Sequence, residues 1–355
     1  MSQSNAVPSS HPTQSLAFLV RPLLRWYAQN KRTLPWRENT NAYCVWVSEI
    51  MLQQTRVEAA KPYYTRFMHA LPTVQSLAQV KEDELLKLWE GLGYYTRARN
   101  LQKAAQLVCT QYNGQIPNTR TALLALPGIG VYTAGAIASI AFGQAAAAVD
   151  GNVLRVISRV TEDYREVSSP AFKAEITSAL EAVYPQGECG AFTQSLMELG
   201  ALVCTPSAAP HCDICPLATM CKAHLQHTVA QLPVKKPKPP RKCAQKTVFI
   251  LQAGDKMAIE KRKKGGLLGG MWQLPNADGA LTQQQARAAL KEWGITPLQM
   301  HALPDKKHIF THIEWQMHAY CVQCQPLCTA AFTWADCSAL EHEIALPTAF
   351  RQFLN

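Results

Sequence analysis

A chain of 355 residues is too long for one ordinary hydrophobic core and, at roughly 150 residues per domain, is expected to form two. Lys and Arg number 35 against 25 Asp and Glu, and the resulting charge of +10 and pI near 9.0 favour a polyanionic partner, either nucleic acid or an acidic membrane surface. Twelve cysteines with no export signal imply a reducing, cytosolic compartment, where clustered thiols bind metal more often than they form disulfides.

The N-terminal MSQSNAVPSSHPTQS has neither an apolar core nor an arginine, so residues 1–15 are expected as a disordered tail, not a secretory signal or transit peptide. From residue 16 to 228 apolar residues recur at helical spacing, as in DELLKLWEGLGYYTRARNLQKAAQLV, which predicts a helical domain. Within it, VWVSEIMLQQT sets Glu49 beside Val45, Trp46 and Leu52 on one helix face. A carboxyl so placed is either raised toward neutrality by burial, as a general acid requires, or an edge group whose stem lies on the core while its head reaches water.

The stretch Ala122 to Val149 carries no charge, yet Pro127, four glycines and few large aliphatics argue against a membrane span. In its LPGIG turn, Gly128 and Gly130 either free backbone amides ahead of a helix to bind a phosphate oxygen or make a plain interhelical turn. Next comes VDGNV, whose Asp150 precedes the helical run LRVISRV and is either a functional carboxylate or an N-cap. The helical half closes on Cys204, Cys212, Cys215 and Cys221, spaced C-x7-C-x2-C-x5-C, a set able to hold an iron–sulfur cubane or a zinc ion.

Residues 229–246, rich in proline and lysine, read as an extended linker. Beyond them, residues 247–355 read as an α+β domain: a hairpin about Gly254 and Asp255, a Gly-rich loop, a helix from Gln283 to Trp293, and further strands. Cys321, Cys324 and Cys328, with Cys337 beyond, form a second cluster, but strand alternation sends Cys321 and Cys324 to opposite faces and argues against a second metal site.

Taken together, LPGIG, VDGNV and the four terminal cysteines resemble the endonuclease III superfamily of DNA glycosylases. LPWR, SEIMLQQT, GLGYYTRARNL, VDGNVLRV and ELGALVCT are similar to its MutY branch, the enzymes that remove adenine mispaired with 8-oxoguanine. The resemblance covers nearly the whole chain. It implies a mainly α fold: a helix-hairpin-helix glycosylase domain ending in an iron–sulfur cluster loop (204–221), followed by a smaller α+β Nudix-like domain.

By the same resemblance Glu49 is the catalytic glutamate, Asp150 the aspartate and Asn152 its assisting asparagine. Gln54 and Tyr94 would enter the opened base stack, and Arg37 and Gln194 would lie near the extruded adenine. Excision chemistry agrees, since one acid must protonate the purine and one carboxylate must stabilise an oxocarbenium-like sugar. Where Tyr132 stands, relatives that also nick DNA carry a lysine that forms a Schiff base; a tyrosine cannot, so the enzyme is expected to be monofunctional and to leave an abasic site. The Tyr132 phenol is expected to hydrogen-bond beside Asp150 or to pack on the next helix.

A 4Fe-4S cluster on Cys204, Cys212, Cys215 and Cys221 is implied, with zinc as the alternative. The chain has one residue more between the first two cysteines than the family's C-x6-C, which a loop absorbs. Gly265 to Pro275 resembles the opening loop of a Nudix-like module, but no acidic Nudix box follows, so binding without pyrophosphate hydrolysis is expected. Phe310, Thr311 and His312 fall on the family's Phe-Ser-His lesion-reading loop. The implied partner is double-stranded DNA with adenine opposite 8-oxoguanine or guanine, met by a cytoplasmic, nucleoid-associated monomer with no membrane contact.

Overall fold

The structure, a computed structural model, describes residues 15–207, 209–237, 239–325 and 332–354. The expected tail up to residue 14, and Cys328, lie outside the described residues. Two compact units are formed: the described residues up to Met68 with Lys103–Pro237, and His69–Gln102 with the described residues after Pro237.

The regular structure of the first unit is helical. Helices α1 (Val20–Asn30), α2 (Ala42–Leu52), α3 (Val131–Ala136), α4 (Gly151–Thr161) and α5 (Cys189–Leu202) position the residues that matter below. In α4 the sequence GNVLRVISRVT buries Val153, Val156, Ile157 and Val160, which share one core with Leu16, Leu19 and Leu23 and with Phe192, Leu196 and Leu199 of α5. Helix α2 is apolar on every side and is buried from Tyr43 to Met51, as such a helix must be. The helix Arg120–Leu124, the LPGIG turn and α3 make the expected hairpin. Gly128 sits there at φ 78°, a left-handed conformation that favours glycine. Past α3 the chain widens into a π turn, Ile137–Ala141.

In the second unit a seven-stranded sheet is built from β1 (Lys242–Ala253), β2 (Lys256–Lys261), β3 (Trp272–Gln273), β4 (Asn276–Asp278), β5 (Pro297–Ile309), β6 (Ile313–Cys324) and β7 (Thr333–Asp336). The strand order is β3-β2-β1-β6-β5, with β4 on β1 and β7 on β2; β1 and β6 run parallel and the other pairs antiparallel. The expected hairpin is present, Ala253 pairing with Lys256 across Gly254 and Asp255. Strand β1 is central and apolar on both faces. Val248 and Ile250 join Met257, Trp315, Leu346 and Phe350 on one side, while Phe249 and Leu251 pack on Leu290 and Ala286 of helix α6 (Gln283–Glu292) on the other.

His69–Gln102 belongs to this unit through polar anchors that sequence order does not announce. Lys87 donates to the carbonyls of Leu340 and Ile344, both at 3.2 Å, and Glu90 accepts from the Leu346 amide at 2.9 Å and from Arg351 at 2.7 Å. Among the described residues no helix is long and apolar enough to cross a membrane.

Candidate active site

A cavity of about 180 Å³ in the first unit is lined by Glu49, Tyr132, Asp150, Asn152, Arg37, Gln194 and Glu198, with Trp36, Met197 and Ile140 among the apolar walls. An engineered cavity of ~150 Å³ admits benzene, so this one has room for a small heteroaromatic ring. Six of its polar residues are those that the sequence reading singles out; Glu198 and Arg32 are among the additions.

Glu49 is 6% exposed, which rules out the edge position with its head in water. Burial pushes its carboxyl up to about 7; the Tyr132 hydroxyl draws it back in part, and the Asp150 charge adds to the rise. The Tyr132 hydroxyl donates to Glu49 Oε2 at 2.6 Å, so the phenol serves Glu49 and does not bond Asp150. Helix α3 directs the ring at α2, and the hydroxyl bonds there while still close enough to Asp150 to feel its charge. Burial and the two nearby carboxyl groups push the Tyr132 phenol well up, so it stays a neutral donor.

Asp150 is the N-cap that its sequence position offers, and it also lines the cavity. Oδ1 accepts from the amides of Asn152 at 2.9 Å and Val153 at 2.8 Å, capping α4, while Oδ2 accepts from Asn152 Nδ2 at 2.7 Å and the residue still lines the cavity. Asn152 is held in turn: Arg155 Nη2 donates to its Oδ1 at 2.8 Å and to the Gly200 carbonyl at 2.7 Å, while Arg155 Nε donates to the Cys204 carbonyl at 2.8 Å. A Cβ at Gly200 would come within 2.7 Å of Asn152 Cβ, so glycine is what lets α5 approach this close.

Glu198, 1% exposed, pairs with both Arg32 and Arg37 at 2.8 Å. Burial alone would raise its carboxyl, but hydrogen bonds from the two arginines outweigh burial and hold it down at about 2. Arg37 Nε also donates to Gln194 Oε1 at 3.1 Å. The sequence reading assigns roles to Arg37 and Gln194 but none to Arg32, nor to Glu198 and Arg155, although the last two lie within its motifs ELGALVCT and VDGNVLRV. The signal existed: residues 194, 197, 198 and 201 recur at helical spacing on one face of α5, and a carboxylate there interrupts an apolar run.

Outside the cavity, Gln54 is exposed at φ 59° where the chain leaves α2. Gly130 caps α3 in an extended conformation, so only Gly128 of the hairpin pair is left-handed. Cys204, Cys212, Cys215 and Cys221 line one further cavity of the first unit, and Arg159 Nη1 donates to Cys204 Sγ at 3.4 Å. Burial and neighbouring thiols push Cys212, Cys215 and Cys221 up, Cys215 to about 12. Among the described residues no three His, Cys, Asp or Glu side chains converge closely enough to hold a single metal ion.

In the second unit, Tyr94 is exposed at φ 48°, and its hydroxyl lies 2.8 Å from Thr311 Oγ1. Thr311 and His312 are exposed, whereas Phe310 turns inward, edge-on to Trp315 at 4.9 Å and His308 at 4.6 Å. Cys321 and Cys324 each contact Gln252, through its side chain and its carbonyl respectively.

A helical domain with this hairpin and a buried acid facing a capped carboxylate across a ring-sized cavity defines a DNA glycosylase of base excision repair. Residues 47–175 match the family model of the HhH-GPD superfamily base excision DNA repair proteins, and residues 247–355 match that of the NUDIX domain. The chain belongs to the adenine DNA glycosylase family: it is 38% identical over 360 residues to the adenine DNA glycosylase of Rattus norvegicus, covering 84% of this chain and 69% of that one. It is also 34% identical over 295 residues to the adenine DNA glycosylase of Buchnera aphidicola subsp. Baizongia pistaciae, covering 82% of each. Among solved structures, a thermostable thymine-DNA glycosylase aligns with TM-score 0.53 and 29% identity over 59% of this chain and 96% of that one.

Proposed function

We propose that this N-glycosylase hydrolyses adenine from duplex DNA where the base faces 8-oxoguanine or guanine, and leaves the strand intact at an abasic site. The observation that carries the reading is the contrast between Glu49, held near 7, and Glu198, held near 2, in one cavity. Environments that separate two carboxyls in this way assign the acid. Glu49 keeps a proton to give. Because Tyr132 donates to Oε2, that proton is directed to Oε1 and from there to a ring nitrogen of the extruded base.

Asp150 then faces the positive charge developing on the sugar. Its three N–H donors, two from the backbone and one from Asn152, fix both oxygens against movement as the bond breaks. Arg37, bonded to Gln194 and to Glu198, forms with Gln194 a polar wall that orients the adenine edge. Tyr132 has no amine for a Schiff base and its hydroxyl is already engaged, which favours hydrolysis alone. Gln54 and Tyr94 would fill the gap in the base stack, the Gly128 to Gly130 turn would hold a backbone phosphate, and Thr311 and His312, braced by Phe310, would read the opposite base.

The donor set of the cysteine loop, four thiols lining one cavity, is of the kind that holds a 4Fe-4S cluster. Cys204, Cys212, Cys215 and Cys221 would hold it. When bound, it supplies iron–thiolate bonds that cross-link the loop whose Cys204 carbonyl receives Arg155. The test is incubation with a duplex carrying adenine opposite 8-oxoguanine. Free adenine should appear while the strand breaks only after alkali, and Thr311→Ala should erode the preference over guanine by about tenfold, within the ~1–3 kcal/mol of a good base contact. Strand nicking in step with base release would contradict the monofunctional reading.

A further inference from the structure

The loop that presents Tyr94 is costly to build. Gly91, Gly93 and Tyr94 stand at φ 99°, 69° and 48°, and a tyrosine in that region needs neighbours that hold it there. Arg97 supplies several of the contacts. Its Nη2 donates to the carbonyls of Leu92 at 3.1 Å and Gly93 at 3.2 Å, the two residues just ahead of Tyr94, and its amide donates to the Tyr94 carbonyl at 2.8 Å. The same guanidinium lies over the Tyr94 ring, 5.4 Å from its centroid, and over the Trp89 ring at 5.3 Å. Trp89 is fully buried, and its indole N–H donates to the Gly93 carbonyl at 3.1 Å.

A fixed indole thus supports an arginine, and the arginine supports a ring that is 47% exposed. We propose that Arg97 is a positioning residue that holds Tyr94 ready as a wedge before DNA is bound. The inference rests on the wedge reading of Tyr94 given above. Both carbonyls accept from one nitrogen, Nη2, and only a planar guanidinium can make that pair of bonds while lying across two aromatic faces; lysine supplies the charge and donors without the plane. A ring already fixed at its root need not be ordered at the moment the base stack opens.

A double-mutant cycle on the full chain tests it, with single-turnover adenine excision as the rate and thermal melting as a check on folding. Arg97→Met should slow excision about tenfold, Arg97→Lys should fall between it and the parent, and in a Tyr94→Ala background Arg97→Met should change the rate by less than about twofold. A merely structural role would instead multiply with Tyr94→Ala. Multiplied effects, or an unchanged rate in Arg97→Met, would overturn the inference while leaving the wedge reading standing. Full activity in Tyr94→Ala would remove the wedge reading, and this inference with it. If Arg97→Met fails to fold, the cycle with Arg97→Lys is read by the same criterion.

Discussion

Glu49 and Glu198 share a cavity wall and differ in what surrounds them. Glu198 receives five N–H donations from Arg32 and Arg37, whereas the buried Glu49 receives one hydroxyl, from Tyr132, and feels the Asp150 charge. Poising Glu49 carries a stability cost whose sign can be checked. Its carboxyl ionises near 4.5 in the unfolded chain and near 7 in the folded one, so between those values the folded state binds more protons and stability declines as pH rises. The full penalty, on the order of 3 kcal/mol, is reached above the folded value. Glu49→Gln removes the charge. Relative to the parent its melting temperature should therefore rise between pH 5 and pH 8, and parallel melting curves over that range would show that Glu49 does not titrate as described.

Helix α2 announced its own burial, since an apolar run with one carboxylate has nowhere else to go. What it could not announce was which hydroxyl meets Glu49, because that depends on the direction in which α3 leaves the hairpin. Asp150 was legible as a cap, and the structure shows that cap on a residue that also lines the cavity. The anchoring of His69–Gln102 by Leu340, Leu346 and Arg351 was hidden, since it joins residues some 250 apart by carbonyls and single charges that leave no periodic trace. A chain ended in the linker near residue 238 would strip those partners from Lys87 and Glu90, so single substitutions are the better probes. At the α4–α5 contact, Gly200→Ala drives a methyl group to within 2.7 Å of Asn152 Cβ. It should cost about 1–3 kcal/mol of overpacking and slow excision by displacing Asn152 from Asp150. Unchanged excision with normal melting would show that the spacing is not critical.

The two units divide the proposed work, the first excising adenine and the second reading the base opposite, and the net charge of +10 suits a polyanion that both must meet. If the cysteine loop carries the proposed cluster, anaerobically purified protein should be yellow-brown and contain about four irons per chain. Stoichiometric zinc without iron would overturn that assignment. The central claim, that a protonated Glu49 drives excision, is tested most directly by single-turnover release of adenine from a duplex bearing it opposite 8-oxoguanine, measured from pH 5 to pH 9. With the parent chain the rate should fall as pH rises through about 7, and with Glu49→Gln it should drop by roughly 10²–10⁴ below pH 7, the gap narrowing at higher pH, while duplex binding persists. A Glu49→Gln variant that excises adenine at near the parent rate would contradict the account.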